Sequence, residues 1–306
     1  MAAGPGKQGS GSVPAISVVI PTHNRAAMLR RALASVFTQQ FDSFEVIVIN
    51  DGSSDETAAL LLQLANPLLV TAHHPKPLGA AAARNAGLKL ARAPIVAFLD
   101  DDDEQLPGFL AETVQAHATQ PRTDLAWTGV IFHRPDGSEE TLSWRRWAAS
   151  PRFVNRLTGS CGISFRAEWL RQAGGFDTAF RITEDTDLFM RLVEQKGRWR
   201  CIDRPLMRVY VHPGASLSRS GNSDIHIEFL RLLIQRHAVL IGSDPAIWRQ
   251  YHGALTNHLY RAGRKGEARR EVLRLLARPS TFFFALESIV RFEIRKRGAG
   301  RQTASA

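Results

Sequence analysis

Four aspartates and a glutamate stand in a row at Asp100, Asp101, Asp102, Asp103 and Glu104. Carboxylates this close repel one another unless a cation sits among them. Mg²⁺ and Mn²⁺ suit that role because they prefer oxygen ligands. Mg²⁺ takes one or two protein carboxylates and completes its shell with water and substrate phosphates. Two further acidic clusters stand apart from this run, Asn50-Asp51-Gly52-Ser53-Ser54-Asp55 and Glu184-Asp185-Thr186-Asp187. A single carboxylate can act as a general base on a hydroxyl. The plainer readings are a solvated acidic turn for the first run, a capping turn for the second and a helix N-terminus for the third, where acidic residues are favourable for structure alone.

The elements that must position these groups can be read from the apolar pattern. Ala93–Leu99 is apolar and rich in strand formers, as expected of a strand buried on both faces. The carboxyl end of such a strand is where open α/β sheets bind ligands, and the aspartates follow it directly. Ile16–Pro21 reads as a first strand, ending in Thr22-His23-Asn24-Arg25. Met28 to Thr38 has helical spacing, with Leu29, Leu33, Val36 and Phe37 on one face. Phe44–Ile49 reads as a second strand, Glu56–Ala65 as a helix that Ser53, Ser54 or Asp55 can cap, and Leu68–Ala72 as a weaker third strand. The small residues of Gly79–Leu90 permit close packing of another helix. Strands alternating with helices argue for a βαβ sheet. Three strands thus deliver polar loops to one edge, the layout of a nucleotide site. The glycines follow neither a dinucleotide fingerprint nor a P-loop, which argues against a dehydrogenase or an NTPase. Phosphates would then be held largely by a metal.

Beyond the aspartates, Leu106–His117 reads as a helix, Leu125–Phe132 as a strand and Asp136-Gly137 as a hairpin turn. Trp144 and Trp147, with Arg145 and Arg146, could stack on sugar rings or simply pack. Ser160–Phe165 reads as a strand leading to a helix over Arg166–Gln172, which Gly174-Gly175 can end in left-handed conformations. Glu184 opens the next helix. After Ser218 the pattern turns helical, over Ile225–Leu240, Trp248–Arg261 and Glu267–Leu276. The last two suggest a hairpin like one tetratricopeptide unit, which cannot bury its face alone.

Taken together, Val18–Arg25, Val48–Asp55, Ala83-Arg84-Asn85-Ala86-Gly87, Phe98–Asp103, Gly174-Gly175-Phe176-Asp177 and Glu184-Asp185-Thr186-Asp187-Leu188 resemble the ordered motifs of a family 2 glycosyltransferase of GT-A fold. The resemblance spans residues 16–218. It implies a mostly parallel, Rossmann-like α/β sheet flanked by helices. The nucleotide-binding half would be 15–105 and the acceptor half 106–218, with a disordered tail at 1–14 and a basic helical extension at 219–306. It implies a metal-dependent, inverting transfer of a sugar from UDP to an acceptor hydroxyl, in the synthesis of a cell-surface glycan or polysaccharide. In this reading Asp51 accepts from uracil N3–H, and Pro21, Thr22, Asn24 and Arg25 flank the uridine. Arg84 reaches the nucleotide or holds Asp51. Asp100 and Asp102 form the Asp-x-Asp metal motif for Mn²⁺ or Mg²⁺, with Asp101 beside them on the substrate. Asp185 is the general base and Glu184 a substrate-side neighbour. His212 lies near the diphosphate or metal; Tyr210 stands where the family commonly carries arginine. The alternative is a catalytically weak sugar-nucleotide-binding or scaffolding protein with the same fold.

Composition sets the remaining limits. The chain has 306 residues, ample for a real core. Its net charge is +10, and residues 261–306 carry 12 Lys and Arg against 4 Asp and Glu. A basic tail suggests an anionic partner or a set of solvated faces. The amphipathic stretch 281–297, with Phe282, Phe283, Leu286, Ile289, Val290 and Ile294 on one face and Arg291, Arg295, Lys296 and Arg297 beside it, suits peripheral contact with a membrane surface or packing on the domain. The family resemblance implies a glycan or lipid-linked acceptor, and no nucleic acid. Two cysteines, Cys161 and Cys201, make no disulfide framework, so a cytoplasmic setting is expected. No signal peptide or membrane span is expected from the apolar runs.

Overall fold

The computed structural model describes residues 13–119, 122–143, 145, 148, 150–155, 162–212 and 222–278. The expectations placed on 1–12, Trp144, Arg146, Trp147, Ser160, Cys161 and 281–297 lie outside them. The chain divides into two compact units, Met1–Ser150 with Thr158–Pro213, and Pro151–Leu157 with Gly214–Ala306.

In the first unit, strands and helices alternate through β1 (Ile16–Thr22), α1 (Ala26–Phe37), β2 (Phe44–Asp51), α2 (Thr57–Gln63), β3 (Leu69–His74), α3 (Ala80–Leu90) and β4 (Ile95–Phe98). Then follow β5 (Glu104–Gln105), α4 (Phe109–Ala118), β6 (Leu125–His133), β7 (Glu139–Leu142), β8 (Ile163–Arg166), α5 (Ala167–Gln172), α6 (Glu184–Glu194) and β9 (Trp199–Tyr210). The sheet order is β3-β2-β1-β4-β8-β6-β9-β5, with β7 on β6. Strands β1 to β4 run parallel; β8 then pairs antiparallel to β4, and β6 and β9 pair parallel. The fold is thus mixed α/β, parallel over β1 to β4.

Strands β1, β2 and β4 read as unbroken apolar runs because both of their faces are covered, unlike β3 at the sheet's end. Ile16, Val18 and Ile20 of β1 pack in one cluster with Leu29, Leu33 and Val36 of α1. Val19 points the other way, against α3, where a Cβ on Gly87 would stand 2.3 Å from its Cγ1. Only glycine lets α3 approach that closely. Phe98 is fully buried and meets the Phe176 ring edge-on, with centroids 5.0 Å apart, an arrangement worth about 0.5–1.5 kcal/mol beyond burial.

The second unit is helical: a 3₁₀ turn over Pro151–Asn155, then α7 (Ser223–Arg236), α8 (Ala238–Ser243), α9 (Pro245–Arg261) and α10 (Lys265–Leu276). The single helix expected over 225–240 breaks at His237, whose φ of −104° and ψ of 33° leave helical geometry. Asp244 caps α9 by accepting from Ala246 N at 2.7 Å, with Pro245 at the first turn. Helices α9 and α10 are tied by a buried hydrogen bond from His252 Nδ1 to Glu271 Oε2 at 2.8 Å. No helix among the described residues is long and apolar enough to cross a membrane.

Candidate active site

The carboxyl ends of β1, β2 and β4 meet at one sheet edge. Residues Thr22 of β1 and Asn50 of β2 are register partners, so the polar loops that follow start level. Asn24 sits at φ 56° and knits two of them together. Its backbone N donates to Ser53 Oγ at 2.9 Å, and its Oδ1 accepts from Ser54 N at 2.7 Å. Glu56, not one of the expected residues, is the N-cap of α2; Asp55, one position earlier, accepts from Thr57 N at 3.0 Å, and also from Ala26 N at 3.1 Å at the start of α1.

Asp51 is buried, and its carboxylate is fully oriented. Oδ1 accepts from His74 Nδ1 at 2.6 Å and from Leu78 N at 2.9 Å, and Oδ2 from Gly79 N at 2.8 Å. The loop that supplies these amides packs hard on the Asp51-Gly52 turn: a Cβ on Gly52 would meet Lys76 C and Pro77 N at 2.6 Å. His23 Nδ1 donates to the Asp51 carbonyl at 2.8 Å. Arg84 does not hold Asp51, contrary to one expectation. It is buried, and its guanidinium forks between Asp100 Oδ1 at 2.8 Å and Glu184 Oε1 at 2.6 Å. Burial works against that charge, but the two carboxylates prevail and hold Arg84 above the usual arginine range.

The four aspartates divide by parity. Asp101 and Asp103 turn inward. Asp101 accepts from Thr22 Oγ1 at 2.7 Å and Arg25 Nη1 at 3.0 Å, and Asp103 from Tyr210 N at 3.2 Å. Burial pushes the Asp101 carboxyl up to about 6, against the pull of Thr22 and Arg25. Asp100 and Asp102 turn outward, with side chains 28% and 20% exposed. Arg25 Nη1 reaches Asp102 Oδ2 at 2.9 Å. His212 Nε2 lies 3.6 Å from the same oxygen, beyond hydrogen-bond range, and is buried without a hydrogen-bond partner.

Helix α6 brings its acidic N-terminus to this loop. Thr183, its N-cap, stands at φ 65°, a strained setting for a β-branched residue. Asp185 is buried, and its Oδ1 accepts from Thr186 N at 2.7 Å. Asp187 is structural: it receives Arg191 Nε at 2.8 Å, while Arg191 also grips the carbonyls of Ala173 and Gly175. Asn85 closes the same corner by bonding both polar main-chain atoms of Phe176, which leaves no room for a Cβ at Gly175.

Pro21, Thr22, Asn24, Arg25, Asp51, Arg84, Asp100, Asp101, Asp102, Asp185, Glu184 and His212 therefore all fall at or beside one strand edge. His23, His74, Leu78 and Arg31 join them although the sequence pattern alone did not mark them. His74 escaped because β3 runs two residues further than its weak apolar pattern shows. The amides at Leu78 and Gly79 carry no side-chain signature.

The sequence pattern of glycosyl transferase family 2 matches residues 17–172. The chain belongs to that family. Among family relatives, a protein of Escherichia coli K12 named for glycosyl transfer in colanic acid biosynthesis is 30% identical over 200 residues, covering 61% of this chain and 69% of its own. A pre-mycofactocin glycosyltransferase of Mycobacterium tuberculosis is 32% identical over 195 residues, 60% of this chain but 40% of that one. A crystal structure of S. aureus TarS 1–349 in complex with UDP-GlcNAc superposes with a TM-score of 0.62 at 22% identity, covering 80% of this chain and 72% of that chain. That likeness shows the glycosyltransferase fold.

Proposed function

We propose that this family 2 glycosyltransferase uses a UDP-sugar, needs Mn²⁺ or Mg²⁺, and inverts the sugar's configuration on transfer to an acceptor hydroxyl. The observation that carries the reading is the Arg84 fork. One buried guanidinium ties the outward-facing Asp100 to Glu184, the residue before Asp185. The phosphate-side loop and the acceptor-side helix are thereby fixed to a common point. TarS, a structural neighbour, was crystallised with UDP-GlcNAc and with UDP, which supports a uridine nucleotide here.

In this reading Asp51 accepts from the uracil N3–H; an unprotonated cytosine N3 offers no proton there. Asp185 takes the proton of the acceptor hydroxyl, whose oxygen attacks the anomeric carbon from the face opposite the nucleotide as the bond to the diphosphate breaks. Among the described residues no three His, Cys, Asp or Glu side chains form a complete metal cage. The donors still fit a hard ion that keeps water and phosphate in its shell: the outward carboxylates of Asp102 and Asp100, and the buried, unpartnered His212 Nε2. Such an ion would neutralise the charge developing on the departing diphosphate. Arg25, paired with Asp101 and Asp102, keeps part of its guanidinium in the open, where it can meet phosphate oxygens.

A glycan or lipid-linked acceptor, and peripheral membrane contact through the basic amphipathic stretch 281–297, complete the proposal. The test is UDP release from a panel of UDP-sugars, with Mn²⁺ and with excess EDTA, for the parent and Asp102→Asn. Turnover should need the ion and fall by roughly 10²–10³-fold in the variant, the equivalent of several kcal/mol of charge stabilisation. Full activity in EDTA would refute the metal requirement.

A further inference from the structure

Helix α1 carries a polar stripe that the proposed chemistry does not use. Arg31 and Ser35 lie four residues apart on its face, and Gln39 follows at the same interval just past its end. All three engage the main chain of the segment that contains the outward aspartates. Arg31 Nη2 donates to Asp102 O at 2.6 Å. Ser35 Oγ accepts from Gln105 N at 3.0 Å. Gln39 Nε2 donates to Leu106 O at 3.0 Å and stands 3.3 Å from Gln105 O. The face of α1 that covers the sheet is a different one, formed by Leu29, Leu33 and Val36.

Arg31 goes further than the other two. Its guanidinium carbon sits over the Tyr210 ring, 3.7 Å from the centroid, and its Nε is 3.4 Å from Glu104 Oε1. Tyr210 ends β9 two residues before His212, and its backbone N is held by Asp103. One side chain therefore touches both segments that bring Asp102 and His212 within 3.6 Å of each other. Lysine could not repeat this. A planar fork can donate at its edge while its face stacks on a ring; an ammonium is a point donor.

We propose that Arg31 is a positioning residue for the metal site: through the Asp102 carbonyl and the Tyr210 ring it sets the distance between Asp102 and His212. The inference rests on the metal reading above and names the residue that preorganises that site. Ligands held by an outer layer of hydrogen bonds bind tighter, because the ion does not have to order them; losing one such partner typically weakens metal affinity about 10–100-fold.

The test is direct Mn²⁺ titration in the presence of UDP, with free Mn²⁺ read by electron paramagnetic resonance, alongside thermal melts. The variants are Arg31→Ala, Arg31→Lys and Tyr210→Leu. Glu45→Gln serves as the structural control, since Glu45 sits in a buried network with Ser17 and Arg92 and touches none of these groups. Both Arg31 variants should weaken Mn²⁺ by about tenfold or more, with Tyr210→Leu in the same direction and smaller. Glu45→Gln should lower the melting temperature and leave Mn²⁺ affinity at the parent value. Parent-like affinity in Arg31→Lys and Tyr210→Leu would overturn the proposal even if Arg31→Ala fails to fold. So would an equal loss in Glu45→Gln. No Mn²⁺ binding by the parent would instead overturn the metal site itself, and this inference with it.

Discussion

The two ends of the parallel strands are built from similar residues and do different things. At the amino end, Glu45 is buried and consumed by its neighbours: Ser17 Oγ donates at 2.7 Å, Arg92 N at 2.8 Å and Arg92 Nε at 2.8 Å. Nearby, His117 Nδ1 donates to Thr123 O at 3.1 Å, and its Nε2 lies 3.0 Å from Ser164 Oγ. These groups are closed networks, and their energy goes into holding strand to helix. At the carboxyl end the same kinds of bond leave something over. Asp101 and Asp103 turn inward and Asp100 and Asp102 outward; Arg84 ties the aspartate loop to the start of α6, beside Asp185. The difference teaches that a buried charge is a poor mark of function on its own. The informative pattern is a set of buried, satisfied charges whose arrangement leaves the paired carboxylates of Asp100 and Asp102 partly exposed at one strand end.

Breaking the carboxyl end should therefore remove chemistry without unfolding the chain. The largest effect is expected from Asp185→Asn. A general base contributes roughly 10²–10⁴-fold, and the turnover number should fall by that much while UDP affinity by calorimetry stays near the parent value. Loss of UDP affinity in its place would put Asp185 at the nucleotide and not at the acceptor.

Breaking the amino end should do the reverse. Burial holds His117 down to about 4, well under the usual histidine range, and the charge of Arg166 adds to that. Folded His117 thus stays neutral where the unfolded chain takes up a proton. Its contribution to stability is fully present above pH 6.5, is lost as pH falls from 6.5 to about 4, and amounts to roughly 3 kcal/mol. Denaturant melts across that window should show the loss, and His117→Asn should flatten it. An equal slope in parent and variant would remove His117 from the explanation.

Much of this contrast was legible in the sequence. The parallel half could be read because its strands are buried on both faces and its loops are short, so apolar runs and polar ends alternate cleanly. The order of motifs then marked Asp51, Arg84, the aspartate run and Asp185. What each residue holds could not be read, because partners come from distant segments. Arg84 and Glu184 are 100 residues apart. The choice between Asp100 with Asp102 and Asp101 with Asp103 depends on which parity faces inward, and a run of identical residues carries no sign of that. His74 and Arg31 were silent because one lies past the end of a weak strand pattern and the other looks like any exposed helix arginine. The break at His237 was hidden within a periodic apolar stretch.

The smallest expected effect bears most directly on the central claim. UDP and CDP should be titrated calorimetrically into the parent and Asp51→Ala, each with Mn²⁺ and with EDTA. The account predicts that the parent prefers UDP over CDP and binds UDP more weakly in EDTA. Asp51→Ala should lose about 1.5–3 kcal/mol of UDP affinity, the range for a hydrogen bond to a charged group, and with it the preference for UDP. Equal affinity of the parent for UDP and CDP, unchanged by EDTA, would contradict it.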